Sequence, residues 1–208
     1  MTYDPKLHHR RSLRLKEYDY SRNGAYFITV RSYDKKCIFG NILIESVELT
    51  RLGKIVNDFW YEIPNHFKNV QLDTFIVMPN HIHGIIIIND DCMDAVSTSP
   101  SNMNVNNGRG GVSPRPQSEY TLPIHEINGR GKTPLKWKRT LSQIIGYYKY
   151  QTTKIINQLN KTPGNHVWQR NYYDHIIRNV DDFNKIREYI IQNPLKWALD
   201  RENPENRQ

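Results

Sequence analysis

The sequence predicts an α+β domain in which strands alternate with helices. Short runs rich in β-branched residues, bounded by Gly, Pro and Asn, are typical of strands. Longer segments, in which apolar residues recur with the 3.6-residue period of a helix, lie between and after these strands. A length of 208 residues fits one domain with a real core. The hydrophobic fraction of 38% is low, so a polar segment must dilute an otherwise normal core.

The first half of the chain predicts a strand at residues 25–30 and a second strand at about residues 38–47, interrupted at Gly40-Asn41. A helix is predicted to begin after Thr50 and to stop at Pro64, because proline lacks the amide hydrogen that a helix interior requires. Its apolar stripe consists of Leu52, Ile55, Val56, Phe59, Trp60 and Ile63.

Two further strands are predicted at residues 70–77 and 81–89, joined at Met78-Pro79-Asn80. The next segment, residues 90–134, is polar and rich in Gly, Asn and Pro. It has too few apolar residues to fold alone, and we therefore expect a flexible insertion there.

Two helices complete the prediction. The first covers about residues 135–159 and has an apolar stripe of Leu141, Ile144, Ile145, Tyr148, Thr152, Ile155 and Leu159. A turn and a short extended piece follow at residues 165–178. The last helix begins at the N-cap Asn179 and ends at Asn193-Pro194, because proline disfavours helical backbone in the residue before it. Its buried stripe is Phe183, Ile186 and Ile190.

The charge of the chain indicates a polyanionic partner. The net charge is +8, and 13 Tyr and 4 Trp could stack on bases. Two basic patches are candidate DNA contacts, although a solvated tail is an equal alternative for the first of them. The patches are Arg10, Arg11, Arg14 and Lys16, and then Lys136, Trp137, Lys138 and Arg139.

Cysteine usage and the N-terminus indicate a cytoplasmic location. Cys37 and Cys92 have no close partner in sequence, which argues against a disulfide scaffold or a thiolate zinc site. The first residues lack the apolar core of a signal peptide, and no segment is long and apolar enough for a membrane span.

His81 and His83 are candidate metal ligands. Residues two apart on a strand point to the same face, so both imidazoles can converge on one ion. The neighbouring residues are nearly all apolar, and two unpartnered imidazoles would be costly to bury among them. For an isolated pair of this kind, two hydrogen-bonded or exposed histidines are the commoner outcome, so the apolar context decides in favour of a metal.

Tyr189 and Asn193 share one face of the last helix because they are four residues apart. An amide oxygen from Asn193 could be a third ligand, and the Tyr189 hydroxyl could be a nucleophile. Taken singly, a helix-ending Asn and a half-buried Tyr are the simpler interpretations. Two imidazoles and an amide oxygen suit Mg²⁺ or Mn²⁺. Such an ion would polarise a scissile phosphate while the phenol oxygen becomes attached to it.

The chain resembles the REP-associated tyrosine transposases, members of the HUH single-tyrosine transposases, in an ordered set of segments that spans most of its length. These segments are Arg11-Ser12-Leu13-Arg14-Leu15, Tyr18-Asp19-Tyr20, Gly24-Ala25-Tyr26-Phe27-Ile28-Thr29-Val30, Met78-Pro79-Asn80-His81-Ile82-His83-Gly84, Trp168-Gln169-Arg170-Asn171-Tyr172-Tyr173 and Tyr189-Ile190-Ile191-Gln192-Asn193-Pro194.

This resemblance implies a ferredoxin-like antiparallel sheet with packed helices. It implies cleavage and rejoining of single-stranded DNA next to a hairpin, through a 5′-phosphotyrosine intermediate and without a nucleotide cofactor. By residue, it implies His81 and His83 as the metal pair, Asn193 as the third ligand and Tyr189 as the nucleophile. Related transposases include dimers, so a homodimer is a further expectation.

Two other functions remain open on the sequence alone. One is a domesticated hairpin-binding protein without catalysis, against which the intact set of four site residues argues. The other is an RNA-binding ferredoxin-like domain, which ranks lowest because the aromatic motif expected on its central strands is missing.

Overall fold

The computed structural model describes residues 18–89, 139–200 and 202–206, and the predicted insertion at residues 90–134 lies wholly outside these ranges. The helices and strands in chain order are β1 (Gly24–Arg31), β2 (Gly40–Leu43), β3 (Ser46–Leu49), α1 (Arg51–Tyr61), α2 (Ile63–His66), β4 (Val70–Val77), β5 (His81–Ile88), α3 (Leu141–Asn160), β6 (Tyr173–Ile177) and α4 (Val180–Gln192).

Four of the strands form one antiparallel sheet with the order β4-β5-β1-β6. α1 lies in the connection from β1 to β4, and α3 lies in the connection from β5 to β6, so each connection passes over one intervening strand. Two such split strand-helix-strand units make a ferredoxin-like sheet. The predicted ferredoxin-like α+β fold is therefore confirmed. The remaining strands, β2 and β3, pair with each other as a separate hairpin.

Both faces of the sheet are covered, because side chains alternate along each strand. The larger core joins the sheet to α1 and α3, and it includes Tyr26, Ile28, Val30, Val56, Trp60, Ile82, Ile86, Ile144, Ile145 and Tyr148. The smaller core joins the sheet to α4, and it consists of Phe27, Ile85, Ile177 and Ile190 with Phe183 and Ile186 packed against them. The predicted apolar stripe of the last helix is thus confirmed. Among the described helices, none is long and apolar enough to cross a membrane.

The predicted strand at residues 38–47 is wrong in its extent. The structure has two shorter strands, β2 and β3, and the chain reverses between them at Ile44, which has a positive φ of 57°. A β-branched residue rarely adopts this left-handed conformation, so the residue type carries no turn signal. The apolar content of the segment was sufficient to predict strand but not to place its reversal.

The predicted helix at residues 135–159 begins later than expected, at Leu141. Thr140 is the N-cap of this helix. Its hydroxyl accepts a hydrogen bond from the Gln143 backbone N–H, and its own backbone N–H donates to the Gln143 side chain, so that the two residues form a capping box. Residues 135–138 lie outside the described ranges.

The last helix begins as predicted, since the Asn179 side chain accepts a hydrogen bond from the Asp182 backbone. α4 ends at Gln192, close to the predicted boundary. The prediction that Pro194 takes the residue before it out of the helical conformation is wrong. Asn193 keeps helical angles, φ −59° and ψ −41°, although a proline follows it. The chain continues in a helical sense, because Lys196 N donates to the carbonyls of Gln192 and Asn193.

Gly84 on β5 is expected to tolerate no side chain. A Cβ added there would lie 2.4 Å from Cζ2 of Trp60. Trp60 is fully buried and stacks on Phe75 with ring centroids 4.3 Å apart, so it has no room to move. We expect Gly84→Ala to lower the free energy of unfolding by about 1–3 kcal/mol, as overpacking usually does, measured by urea denaturation.

Gly146→Ala is the matched control for this substitution. Gly146 lies inside α3, and no described atom lies within 4 Å of an added Cβ. Alanine is favoured over glycine in a helix interior, so we expect unchanged or higher stability. A Gly84→Ala protein as stable as the wild type would contradict the prediction.

Candidate functional site

The two histidines lie side by side on β5, on the face of the sheet that α4 covers. His81 is 0% exposed and His83 is 3% exposed. Their Nε2 atoms are 3.0 Å apart. The outer ring nitrogens also have partners: His81 Nδ1 lies 2.8 Å from Asn80 Oδ1, and His83 Nδ1 lies 2.8 Å from Thr29 Oγ1. Both rings are therefore held at each end, with their Nε2 atoms turned toward each other.

Burial keeps both imidazoles neutral. It lowers the pKa of His81 to about 3, an effect that the Glu202 carboxylate opposes and the Arg31 guanidinium reinforces. Burial, followed by His81 and Arg31, holds the pKa of His83 well below its usual value. The neutral imidazole is the form that binds a metal ion, because one ring nitrogen then presents a lone pair.

Tyr189 lies on the cavity side of α4, close to the histidines. Its hydroxyl is 3.4 Å from His83 Nε2, and the residue is 43% exposed. The tyrosine ring meets Phe27 edge to face, with centroids 5.9 Å apart, and Phe27 in turn stacks on His83. Packing thus restrains the ring while the hydroxyl remains accessible.

Asn193 follows α4 and is 3% exposed. Its side-chain oxygen is buried and has no hydrogen-bond donor among the described residues. A buried oxygen in this state costs free energy unless something binds it. This unsatisfied oxygen, on the wall of the same cavity as His83 and Tyr189, is what a cation would satisfy.

Asp200 and Glu202 belong to the site, and the sequence did not indicate them. Asp200 Oδ2 lies 4.0 Å from His81 Nε2. Glu202 forms ion pairs with Arg31 at 2.6 Å and with Lys35 at 3.0 Å. Burial alone would raise the pKa of Glu202, but Lys35 and Arg31 outweigh it and hold the pKa below its ordinary value. The only signal in the sequence was two acidic residues in a polar tail without periodicity.

The donor set fits a metal ion. The ligand atoms of His81, His83 and Asp200 all lie within 4.8 Å of one another, and these three residues could hold an ion. The 3.0 Å between the two Nε2 atoms is also close to the spacing of neighbouring ligands around an octahedral ion with bonds of about 2.1 Å. Together with the unsatisfied oxygen of Asn193, these atoms favour a cation on chemical grounds.

His83 and Tyr189 border a cavity of about 600 Å³. This volume is sufficient for a small organic ligand or part of a polymer. Its walls combine rings with charges: Phe27, Thr29, Arg31, His83, Tyr173, Tyr189, Asn193, Lys196, Leu199, Asp200 and Glu202.

Only one of the predicted DNA contacts falls on described residues. Arg139 precedes α3 and contributes, after burial, to lowering the pKa of His66. It is not among the residues that line the cavity. The others, Arg10, Arg11, Arg14, Lys16, Lys136, Trp137 and Lys138, lie outside the described ranges.

An ion pair between Arg187 on α4 and Asp73 on β4 ties the tyrosine helix to the sheet. Arg187 Nε donates to Asp73 Oδ1 at 2.7 Å, and its NH2 group donates to Oδ2. The Arg187 hydrogen bonds are the main reason why the pKa of Asp73 is lowered, since burial acts against them. The carboxylate therefore stabilises the fold above its unfolded pKa of about 3.9, and this contribution is lost as the pH falls through the lower folded value.

We expect Asp73→Asn to lower the free energy of unfolding by about 1 kcal/mol at pH 7, as for a partly exposed pair with good geometry. The difference from the wild type should shrink as the pH falls below about 4. Urea denaturation at several pH values measures both effects. Asp58→Asn, on α1, is the control and should leave the free energy of unfolding at pH 7 nearly unchanged. A difference that stays constant down to pH 3 would contradict the assignment.

The chain is 36% identical to an uncharacterized protein of Haemophilus influenzae over 200 residues, which cover 96% of each chain. No protein-family profile matches the chain.

Two solved structures are similar at a lower level. One is a REP-associated tyrosine transposase bound to a REP hairpin, with 17% identity, a TM-score of 0.49, and coverage of 88% of this chain and 74% of that one.

The other is a protein of Deinococcus radiodurans described as a candidate transposase, with 11% identity, a TM-score of 0.40, and coverage of 85% of this chain and 94% of that one. Both similarities are too low to transfer an activity, so the chemistry of the site has to follow from its own residues. The similarity to the Haemophilus influenzae protein is much higher, and this chain belongs to the same family as that protein.

Proposed function

We propose that this chain, as a member of that family, is a metal-dependent transposase or nickase of single-stranded DNA. It cleaves and rejoins DNA near hairpins through a 5′-phosphotyrosine intermediate. The observation that carries this proposal is the position of the Tyr189 hydroxyl, 3.4 Å from the buried, neutral His83 at a cavity that is also lined by Asn193, whose buried side-chain oxygen is unsatisfied. The ordered motifs shared with the REP-associated tyrosine transposases support the same chemistry.

In the proposed reaction, Tyr189 Oη forms a bond to phosphorus, and the bond from phosphorus to the 3′ oxygen breaks. The phenol loses its proton, and the departing 3′ oxygen gains one, so the products are a 5′-phosphotyrosine and a 3′ hydroxyl. One phosphodiester replaces another, and a 3′ hydroxyl can therefore attack the intermediate to rejoin DNA without a nucleotide cofactor.

His81, His83 and Asn193 are the proposed ligands of a divalent metal, and Asp200 is a neighbouring carboxylate. Nitrogen and oxygen donors without a thiolate suit Mg²⁺ or Mn²⁺. When bound, such an ion polarises the scissile phosphate and stabilises the charge that develops on it.

The chain itself positions the nucleophile and attracts the substrate. Phe27 restrains the Tyr189 ring by edge-to-face packing, which leaves the hydroxyl fewer directions to take. Arg31 and Lys196 on the cavity wall supply positive charge for a phosphate, although Glu202 partly neutralises Arg31. The basic residues at positions 10–16 and 136–139 remain proposed contacts to more distant phosphates.

The test is an adduct assay on a labelled DNA hairpin with single-stranded flanks. We expect a covalent protein–DNA species on a denaturing gel with Mg²⁺ or Mn²⁺ and none with a chelator. Tight hairpin binding without cleavage under any metal would instead support a domesticated binding protein. An RNA hairpin that outcompetes the DNA would favour an RNA-binding function.

A further inference from the structure

We propose that Asn80 is a positioning residue for the metal site, because its side chain decides which nitrogen of His81 carries the proton. The catalytic meaning of this inference rests on the proposed function, whereas the protonation pattern is a property of the folded protein alone.

The amide of Asn80 has one orientation that satisfies its neighbours. The residue is 1% exposed, and its Nδ2 lies 3.0 Å from the Lys35 carbonyl and 2.7 Å from the Glu202 carbonyl. Carbonyl oxygens only accept hydrogen bonds, so the NH₂ group must face them. The reversed amide would place its own oxygen against the two carbonyl oxygens, with no hydrogen between them.

The oxygen of the Asn80 amide consequently faces His81. Asn80 Oδ1 lies 2.8 Å from His81 Nδ1, and because an amide oxygen can only accept, Nδ1 must carry the hydrogen. A neutral imidazole has a single ring N–H. His81 Nε2 is therefore left with its lone pair, and it is this atom that lies 3.0 Å from His83 Nε2 and 4.0 Å from Asp200.

Thr29 places no such restriction on His83. A hydroxyl both donates and accepts, so Thr29 Oγ1, 2.8 Å from His83 Nδ1, can serve either form of that ring. Without a cation, His83 can donate its Nε2–H to His81. With a cation, His83 can move its hydrogen to Nδ1 and present a second lone pair. Asn80 thus keeps the hydrogen of His81 on Nδ1, which leaves Nε2 free to bind a cation. Thr29 allows the hydrogen of His83 to lie on either ring nitrogen.

The same amide makes the site depend on the C-terminal segment. Asn80 and Glu202 are 122 residues apart in sequence, and Asn80 and Lys35 are 45 apart. The segment that supplies Asp200 also supplies, through the Glu202 carbonyl, one of the two contacts that orient the amide. A leucine at position 80 has nearly the same size as asparagine, but it can neither accept from His81 nor donate to either carbonyl.

The first test needs no substitution. Nitrogen NMR of the metal-free protein, with labelled histidine rings, distinguishes protonated from unprotonated ring nitrogens. We expect His81 to carry its hydrogen on Nδ1 and to have an unprotonated Nε2. A His81 ring protonated mainly on Nε2 would overturn the proposal.

The second test compares Asn80→Leu with Asn69→Leu by Mn²⁺ titration. Asn69 is a matched control, since it is also buried (9% exposed) and its Nδ2 donates to a backbone carbonyl, that of Asn89. We expect Asn80→Leu to weaken Mn²⁺ binding about 10- to 100-fold, the usual effect of removing a group that orients a ligand. We expect Asn69→Leu to leave Mn²⁺ binding unchanged. Equal Mn²⁺ affinity in Asn80→Leu and the wild type would overturn the role of Asn80.

These outcomes are separable from failure of the proposed function. A protein with the expected His81 protonation and the expected loss of Mn²⁺ affinity in Asn80→Leu, but without any DNA adduct, would contradict only the transposase proposal. Adduct formation by a protein whose His81 is protonated on Nε2 would overturn only the role of Asn80.

Discussion

Tyr189→Phe is expected to abolish the covalent protein–DNA adduct, with a loss of roughly a thousandfold or more in the rate of its formation. The substitution removes one oxygen atom, the only atom of this side chain that can bond to phosphorus. The ring stays, so the edge-to-face contact with Phe27 and the packing of α4 should remain. The measurement is the yield of adduct with time on a denaturing gel, with a labelled hairpin and Mg²⁺ or Mn²⁺.

Tyr150→Phe is the control for the loss of a tyrosine hydroxyl. Tyr150 lies on α3 and is 65% exposed, and it is not among the residues that line the cavity. This variant should form the adduct at the wild-type rate. The affinity of Tyr189→Phe for the hairpin should also match that of the wild type, because the substitution removes the nucleophile but not the surface that binds DNA. An adduct that persists in Tyr189→Phe would exclude Tyr189 as the nucleophile.

His83→Ala is expected to weaken Mn²⁺ binding by at least about a hundredfold, and adduct formation should fall with it. A ligand should matter at least as much as the orienting groups whose loss costs 10- to 100-fold. His83 is one of two imidazoles at the site among the described residues, and its removal also takes away the ring that stacks on Phe27. Mn²⁺ titration followed by electron paramagnetic resonance measures the affinity directly.

Two comparisons separate metal loss from unfolding. His83→Gln keeps more of the side-chain volume and should show the same loss of Mn²⁺ binding with a smaller change in melting temperature. His166→Ala removes an imidazole that packs on Tyr33 and is not among the metal-ligand candidates, so Mn²⁺ affinity should be unchanged. Unaltered Mn²⁺ binding in both His83 variants would remove His83 from the ligand set.

Local patterns were sufficient to predict the elements that carry the histidines and the tyrosine. β5 follows Pro79-Asn80 and is rich in β-branched residues, whereas α4 has apolar residues at a helical period and a strong cap signal in Asn179. The spacing within each element therefore predicts which side chains share a face. The contact between His83 and Tyr189 depends on the tertiary fold, which the spacing within single elements cannot predict. The resemblance to a transposase family predicted that fold.

Long-range contacts explain what the sequence could not predict. Asp200 and Glu202 lie in a polar segment without periodicity, and their place is set by Asn80, Arg31 and Lys35, more than a hundred residues away. The reversal at Ile44 was equally invisible, because the turn is imposed on a residue type that disfavours it. Asn193 was placed at the right boundary for a reason that its helical backbone contradicts.

The Asp73–Arg187 pair has a consequence for stoichiometry. It holds the helix of Tyr189 against the sheet of its own chain, and that sheet also carries His81 and His83. Under the proposed chemistry, each chain is a complete reaction centre with one tyrosine, and one tyrosine can retain only one DNA end at a time. Excising a segment with two ends then takes either two chains acting together, for which a homodimer would serve, or two successive turnovers by one chain.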